Sequence, residues 1–231
     1  MILSRLFTAA VFLFLPVLKG IAEEQSYSIT ITLAIAEDIR ESVKAEGRLI
    51  VFFSLRQRPE PRTRTWPSTG NYMFAKNISA LPKDGPIEIS AESDLMTTAD
   101  WSINQVPKGT YYVQVVWDQD RTESRIDAPG NIYSEVSEVD VDEDMVVNMS
   151  LSKIVGPREI VEHTFVKEIT MKSEILSKWW GKDVILKASV LLPNSYYEKP
   201  GAKFPVRYNI AGYGGRYTHV NRLLKRKSFS D

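Results

Sequence analysis

Short segments in which apolar and polar residues alternate recur through residues 26–155 and constrain the fold more than any other feature of the chain. Successive side chains of a β-strand point to opposite faces, so alternation indicates a strand that is buried on one face. The segment SITITLAIA places four apolar residues on one face: Ile29, Ile31, Leu33 and Ile35. The segment TYYVQVVW follows a Pro-Lys-Gly turn and does the same with Tyr111, Val113, Val115 and Trp117.

Two further segments complete this strand-rich region. Residues 49–53 (LIVFF) are continuously apolar, which is typical of a central strand covered on both faces, and Met145–Leu151 alternates again. Helical periodicity is nearly absent, and Glu37–Ala45 is compatible either with a short helix or with a solvated loop. Short strands separated by Pro, Gly and Asp turns favour a β-sandwich. The sequence therefore predicts a β-sandwich domain over residues 23–155, of the immunoglobulin or transthyretin type.

Residues 1–22 predict export. Arg5 precedes an apolar run over residues 6–18, and Gly20 and Ala22 are the small residues that a signal peptidase requires. A membrane anchor is the alternative, but a span needs about 20 apolar residues and this run is shorter. We expect a cleaved signal peptide, no membrane association after cleavage, and a location in the periplasm, at the cell surface or outside the cell.

Composition excludes several classes of function. The chain has 29 Lys+Arg and 29 Asp+Glu residues, and this zero net charge removes the general electrostatic case for binding nucleic acid. The absence of Cys excludes a disulfide framework, a zinc-finger site and a cysteine nucleophile. No cofactor and no metal ion are predicted.

Three clusters in the first domain are candidate binding sites, and each also has a purely structural interpretation. A proline-extended basic loop would suit an anion or serve as a solvated connection. An aromatic group would stack on a sugar ring or fill the core. An acidic run would offer oxygen ligands to calcium or form a turn, and it lacks the regular spacing of a calcium loop. The basic residues are Arg56, Arg58, Arg62 and Arg64; the aromatic ones Trp66, Tyr72 and Phe74; the acidic ones Glu135, Glu138, Asp140, Asp142, Glu143 and Asp144.

The character of the chain changes near Gly156-Pro157. Residues 183–192 (DVILKASVLL) and 204–210 (FPVRYNI) each alternate and predict strands. The second of these leads directly into residues 211–215 (AGYGG), where three glycines in four positions indicate a sharp bend or a close backbone approach. Residues 219–227 (HVNRLLKRK) have helical spacing and predict a helix, with a basic anchor for an acidic surface as the alternative.

The stretch KASVLLPNSYYEKPGAKFPVRYNIAGYGGRY resembles the opening of esterases of the α/β-hydrolase fold, the group related to esterase D and enterochelin esterase. A secreted bacterial subset of that group also resembles the first domain, in the segments GRLIVFFS (Gly47–Ser54) and PEPR (Pro59–Arg62). The resemblance covers roughly residues 47–220 and depends on the order of the motifs. It implies that residues 156–231 are the first strands of an incomplete α/β-hydrolase domain that follows the accessory domain of a mainly β chain.

In such hydrolases the Gly-rich turn supplies part of the oxyanion hole, because preorganised backbone N–H groups stabilise the negative charge of a tetrahedral intermediate. Carried over to this chain, the resemblance implies that Tyr213 provides the donor N–H, and that Gly212 and Gly214 permit the turn. Many relatives have His-Gly here, where this chain has Ala211-Gly212, so a histidine contribution is absent. A tight turn without chemistry is the alternative.

No G-x-S-x-G nucleophile elbow occurs in the 231 residues. The fold requires Ser, then Asp or Glu, then His, in chain order. After Gly215 the serines are Ser228 and Ser230, and His219 precedes both, while His163 lies in the connecting segment. We therefore expect no catalytic residue in this chain.

Two functions from different classes are consistent with these features. The first is the N-terminal part of an exported esterase-like serine hydrolase, truncated before its catalytic residues and inactive alone. Its substrate in a full-length form would be a small ester or acyl compound. The alternative is an exported β-sandwich module that binds a polysaccharide or a partner protein, or has a structural role.

Overall fold

The computed structural model describes residues 27–66, 71–97 and 101–225. The predicted signal peptide, residues 1–22, lies outside these residues. Within the described ranges the chain is mainly β, as the sequence predicts, with two short α-helices and six short 3-10 helices. None of the helices described is both long and apolar enough to span a bilayer.

The described part of the chain forms eleven β-strands. They are β1 (Ile29–Ile35), β2 (Gly47–Ser54), β3 (Asn71–Ile78), β4 (Ile87–Ile89), β5 (Met96–Thr97), β6 (Gly109–Asp118), β7 (Ile132–Ser134), β8 (Ser137–Val141), β9 (Met145–Ile154), β10 (Val166–Lys172) and β11 (Ile185–Leu191). The α-helices are α1 (Glu174–Trp180) and α2 (Val220–Leu224), and the 3-10 helices span Glu37–Ser42, Pro61–Thr63, Ala91–Ser93, Ile103–Gln105, Asn194–Tyr196 and Tyr217–His219.

Strands β1 to β9 belong to one curled mixed sheet. The strand order is β4-β1-β9-β7-β6-β2-β3-β5, and β8 pairs with β6 beyond the end of β7. The pairing of β1 with β9 is parallel, from Ile29 opposite Met145 to Ile35 opposite Leu151, while the other pairs are antiparallel. The sheet therefore brings the first and last strands of this region side by side.

The apolar faces predicted from the alternation form the main core. All four apolar residues predicted on one face of β1 are buried, as are Tyr111, Val113, Val115 and Trp117 on β6. Strand β2 lies between β6 and β3 and is buried on both faces, which confirms the prediction of a covered central strand. Its inward face joins the main core, while Ile50 and Phe52 form a smaller cluster with Val116 on the outer face.

The region of the uncertain helix, Glu37–Ala45, begins with a 3-10 helix over Glu37–Ser42. Two apolar side chains, Ile39 and Val43, are buried in the main core, so the segment packs against the sheet. The segment is thus neither a full α-helix nor a fully solvated loop.

Strands β10 and β11 form a separate antiparallel pair, with Val166 opposite Leu191 and Lys172 opposite Ile185. Helix α1 joins them, and its C-terminus is closed by Gly181 in the left-handed conformation (φ 63°). Strand β11 confirms the strand predicted within residues 183–192. Helix α2 confirms the start of the helix predicted from residue 219.

Residues 204–210 do not form the strand that their alternation predicts. Val206, Tyr208 and Ile210 are largely exposed, at 74%, 85% and 94% of their maximum. A strand requires a neighbour that pairs with its backbone N–H and C=O groups, and no described strand lies alongside this segment. The sequence-based prediction of a strand here is therefore wrong for the chain as described.

Gly47 tests the packing of the central strands. A Cβ atom at this position would lie 2.7 Å from the carbonyl oxygen of Asp118 and 2.8 Å from the buried ring of Trp117. Because both neighbours are fixed in the sheet, we expect Gly47→Ala to lower the free energy of unfolding by about 1–3 kcal/mol, measured by urea denaturation. Gly156→Ala is the matched control, since nothing lies within 4 Å of its added Cβ. Equal stability of the two variants would contradict this account of the core.

Candidate functional site

The Gly-rich segment forms a tight turn over residues 212–215. The N–H of Gly215 donates to the carbonyl oxygen of Gly212 at 2.8 Å, and Gly214 occupies the third position with φ 76°. A positive φ at this position of the turn favours glycine, since a residue with an L side chain is strained there. The sequence prediction of a sharp backbone bend at these glycines is confirmed, and Gly212, Tyr213 and Gly214 lie together in it.

A glycine is required at position 215 because atoms of residues 211 and 212 lie very close to its Cα. A Cβ atom here would lie 2.2 Å from the Cβ of Ala211 and 2.9 Å from the carbonyl oxygen of Gly212. No side chain fits at those distances. The turn is thus specified by two glycines for different reasons, the left-handed backbone of Gly214 and the crowding at Gly215.

The backbone N–H of Tyr213 has no hydrogen-bond partner among the described residues. The second residue of any tight turn leaves its N–H free in this way, so the observation is compatible with an oxyanion donor without requiring one. The side chain of Tyr213 is 88% exposed, and its hydroxyl lies 3.0 Å from the Oγ of Ser124. This contact joins the turn to the loop between β6 and β7.

A group of charged side chains lies beside the turn. Glu123 accepts a hydrogen bond from Nη1 of Arg158 at 2.5 Å and, through its other oxygen, from Nε of Arg216 at 2.9 Å and from Nη2 of Arg216. Asp127 accepts two hydrogen bonds from Arg125, at 2.6 and 2.7 Å, and one from the Nη2 of Arg158 at 3.5 Å. We call these five residues the charged cluster.

The charged cluster is partly withdrawn from solvent, with the Glu123 side chain only 17% exposed. Burial by itself raises the pKa of Glu123, but the hydrogen bonds from Arg216 and Arg158, together with their charges, outweigh burial and hold its pKa below the ordinary value. The hydrogen bonds from Arg125 lower the pKa of Asp127 against the opposing effect of burial. Both carboxylates are therefore charged at neutral pH.

The sequence contains little that singles out this cluster. Its members are spread over three segments, residues 123–127, Arg158 and Arg216, and charged residues in loops are usually solvated. The alternation of charge in residues 120–127 (DRTESRID) is the only local signal, and it does not indicate which partners the charges find.

The basic loop is used mainly for internal contacts. The backbone N–H of Arg62 donates to Oε1 of buried Gln114 at 3.0 Å, and its guanidinium lies over the ring of Tyr133 and donates to Glu60. Arg64 reaches the Oγ of Ser54 at 3.4 Å, while Arg56 and Arg58 are exposed. The four arginines that the sequence grouped as an anion site therefore do not converge on one point.

The aromatic group is also divided. Phe74 is buried in the main core, Trp66 is 85% exposed, and Tyr72 stacks on Trp101 with ring centroids 5.0 Å apart. Trp101, which is not among the residues predicted for this group, is 38% exposed and borders a depression of the surface lined by Leu95, Met96, Thr97 and Ser102. Exposed aromatic rings are therefore present on Trp66, one of the residues predicted, and on Trp101, which was not predicted.

The acidic run spans strand β8 and the turns on either side of it, with Glu138 and Asp140 in the strand itself. Asp140 accepts a hydrogen bond from Oγ1 of Thr110 at 2.6 Å, and Asp144 accepts one from the N–H of Ser28 at 2.7 Å. Glu135 pairs with Lys153. Within the described ranges no three His, Cys, Asp or Glu side chains are grouped to hold a metal ion.

Neither histidine is engaged with a serine hydroxyl in the part of the chain that the structure describes. Nδ1 of His163 accepts from the N–H of Phe165 at 3.2 Å, and the backbone of His219 continues the turn by donating to the carbonyl of Arg216. Ser228 and Ser230 lie outside the described residues.

The chain matches no protein-family model, no curated protein and no solved structure. The chemistry available at the turn is therefore inferred from its own residues.

Substitutions at the glycines test the geometry of the turn. We expect Gly215→Ala to displace the backbone of residues 211–215, because its Cβ would overlap Ala211, and to accelerate exchange of the residue 215 amide by about tenfold or more, the equivalent of one lost hydrogen bond. The measurement is amide hydrogen exchange followed by NMR. Gly212→Ala is the control, because nothing lies within 4 Å of its added Cβ and its φ is not positive. Equal exchange in both variants would contradict the described turn.

Proposed function

We propose that the chain is the N-terminal part of an exported esterase-like serine hydrolase. In this proposal residues 23–155 are an accessory β-sandwich and residues 156–231 begin an α/β-hydrolase domain. The observation that carries the proposal is the turn at residues 212–215, which follows an alternating segment and presents the unpartnered N–H of Tyr213. Its sequence context, the LLP strand end and the FPV segment that precede AGYGG, supports the same interpretation.

The turn would act as one half of an oxyanion hole. Attack on an ester carbonyl places negative charge on its oxygen, and a fixed N–H 2.7–3.1 Å from that oxygen stabilises it more than it stabilises the ground state. The two glycines fix the direction of the Tyr213 N–H at no cost in side-chain ordering. The nucleophile, acid and base would come from residues outside this sequence, because it contains no G-x-S-x-G elbow.

The packing of the curled sheet supports the sandwich interpretation. Side chains of β1 and β9 belong to the same core as those of β2 and β6, although β1 pairs only with β4 and β9. Apolar residues shared between strands that do not pair are what two facing layers of a sandwich would produce.

The exposed apolar face of β10 and β11 supports the hydrolase interpretation of the second region. Ile169, Met171 and Leu186 share one face of this strand pair and are 42–56% exposed, while the opposite face carries the Glu168–Lys187 ion pair. A two-stranded ribbon is marginally stable alone and normally needs a further layer. Additional strands and helices of a hydrolase sheet would supply that layer.

The first experiment is to sequence the genomic DNA beyond codon 231. If a longer product carries a G-x-S-x-G elbow, its hydrolysis of p-nitrophenyl acetate is then measured. In that product we expect Tyr213→Pro to lower kcat by about 10²–10³-fold, because proline removes the donor N–H, while proline suits the second position of a tight turn. Tyr213→Ala keeps the N–H and is the control, with kcat within a few fold of the parent. The proposal fails if no elbow follows in any frame, or if the two variants behave alike.

The second candidate function is a binding module for a polysaccharide, and the stacked Tyr72–Trp101 pair favours it. A sugar ring packs its C–H groups against an exposed aromatic face, and Trp101 offers one at the edge of the depression. On this alternative, titration with soluble bacterial polysaccharides quenches tryptophan fluorescence, and Trp101→Ala abolishes the response. Trp179→Ala is the control, since Trp179 is 81% exposed in the second region. An unchanged response in Trp101→Ala would exclude this site.

A further inference from the structure

The side-chain and backbone hydrogen bonds that join residues 211–216, which contain the Gly-rich turn, to distant parts of the described chain all reach one segment. These three contacts involve consecutive residues of the β6–β7 loop: Glu123 binds Arg216, Ser124 contacts the Tyr213 hydroxyl, and Arg125 lies 3.5 Å from the carbonyl oxygen of Gly214. The other hydrogen bonds described for these residues stay within residues 211–219.

The β6–β7 loop is itself held rigidly on the sheet. The buried side chain of Asn131 accepts hydrogen bonds from the N–H groups of Gln119 and Asp120, both at 2.9 Å, and donates to Asp118 and to the carbonyl of Ile126. Asp120 in turn accepts from the N–H of Glu123 at 3.0 Å. Ile126 packs on the outer cluster of β2. The loop therefore presents Glu123 from a fixed backbone.

The two arginines that bind Glu123 differ in what else holds them. Arg158 also donates to the backbone carbonyl and the carboxylate of Asp127. Arg216 has, besides Glu123, only the carbonyl of its neighbour Gly215. Loss of the Glu123 charge would thus leave Arg158 partly paired, while Arg216, which is 29% exposed, would lose its one anionic partner. The turn that precedes Arg216 would thereby lose its charged attachment to the β6–β7 loop.

We propose that Glu123 is a positioning residue that fastens the Gly-rich turn to the first β-region through Arg216. The β6–β7 loop is then a structural part of the site, and residues 23–155 are not a separable appendage. The catalytic meaning of this inference rests on the proposed function, whereas the mechanical attachment does not depend on it.

Amide hydrogen exchange of the full chain, followed residue by residue by NMR, tests the attachment. The N–H of Gly215 is hydrogen-bonded within the turn, and the N–H of His219 donates to the carbonyl oxygen of Arg216, so the two amides report the order of the turn and of Arg216. We expect Glu123→Gln to accelerate their exchange by about tenfold or more, as loss of a charge-assisted hydrogen bond does. Amides of β2 and β6 should exchange as in the parent. Glu46→Gln is the matched control, because Glu46 binds Arg121 at an exposed site, with side chains 66% and 67% exposed.

Arg216 provides a second set of variants that separates positioning from general destabilisation. We expect Arg216→Gln to reproduce the effect of Glu123→Gln, and Arg216→Lys, which keeps the charge but loses the fork of donors, to give intermediate exchange rates. The double variant Glu123→Gln with Arg216→Gln should be no worse than either single variant, because both remove the same interaction.

The inference is overturned if Glu123→Gln affects Gly215 and His219 no more than Glu46→Gln does, or if exchange accelerates equally in β2 and β6. It is also overturned if Arg216→Lys behaves like Arg216→Gln and the two single effects add. Failure of the proposed function has a different signature: the exchange results hold, while a longer product with an intact turn shows no hydrolase activity.

Discussion

The burial of both faces of β2 and β6 is the constraint on which the other features of this molecule depend. The inward faces build the main core around Trp117 and Phe53, which are fully buried. The outward faces also carry apolar side chains, Ile50, Phe52 and Val116, together with Gln114, and these must be covered as well. Two loops provide the cover. The basic loop binds Gln114, and the β6–β7 loop contributes Ile126 and carries Glu123 to the surface that meets the Gly-rich turn.

This arrangement connects a packing requirement to a candidate site. A loop that covers apolar surface has its backbone fixed, and a fixed loop is able to hold a charge in one place with little loss of conformational entropy on pairing. Glu123 is held in this way, so its interactions with Arg158 and Arg216 stabilise a defined geometry. A solvated carboxylate at the same distance from the turn would contribute far less, because exposed ion pairs are screened and flexible.

The predictions that were confirmed depend on residues close together in the chain, while the one that was wrong depends on pairing between separate segments. The buried faces of β1 and β6, the central strand β2 and the sharp turn at residues 212–215 all follow from local patterning or from the conformational demands of glycine. The strand predicted at residues 204–210 failed because pairing is a property of two segments, and no described strand adjoins this one. The aromatic group stayed open between the core and a binding face because alternation only assigns a ring to a face, while the packed sheet shows that Phe74 is buried and that Tyr72 stacks on Trp101.

By itself the sequence determined that the chain is mainly β, which side chains enter the core, and where the backbone must turn, because these depend on residues close together in the chain. It also showed that a G-x-S-x-G elbow is absent. Only the tertiary structure decided the parallel pairing of β1 with β9 and the meeting of Glu123, Arg158 and Arg216. These contacts join residues separated by 35 to 116 positions. Nothing in the local pattern encodes such pairings, since they arise from how the whole sheet curls and which loops its buried faces bring together.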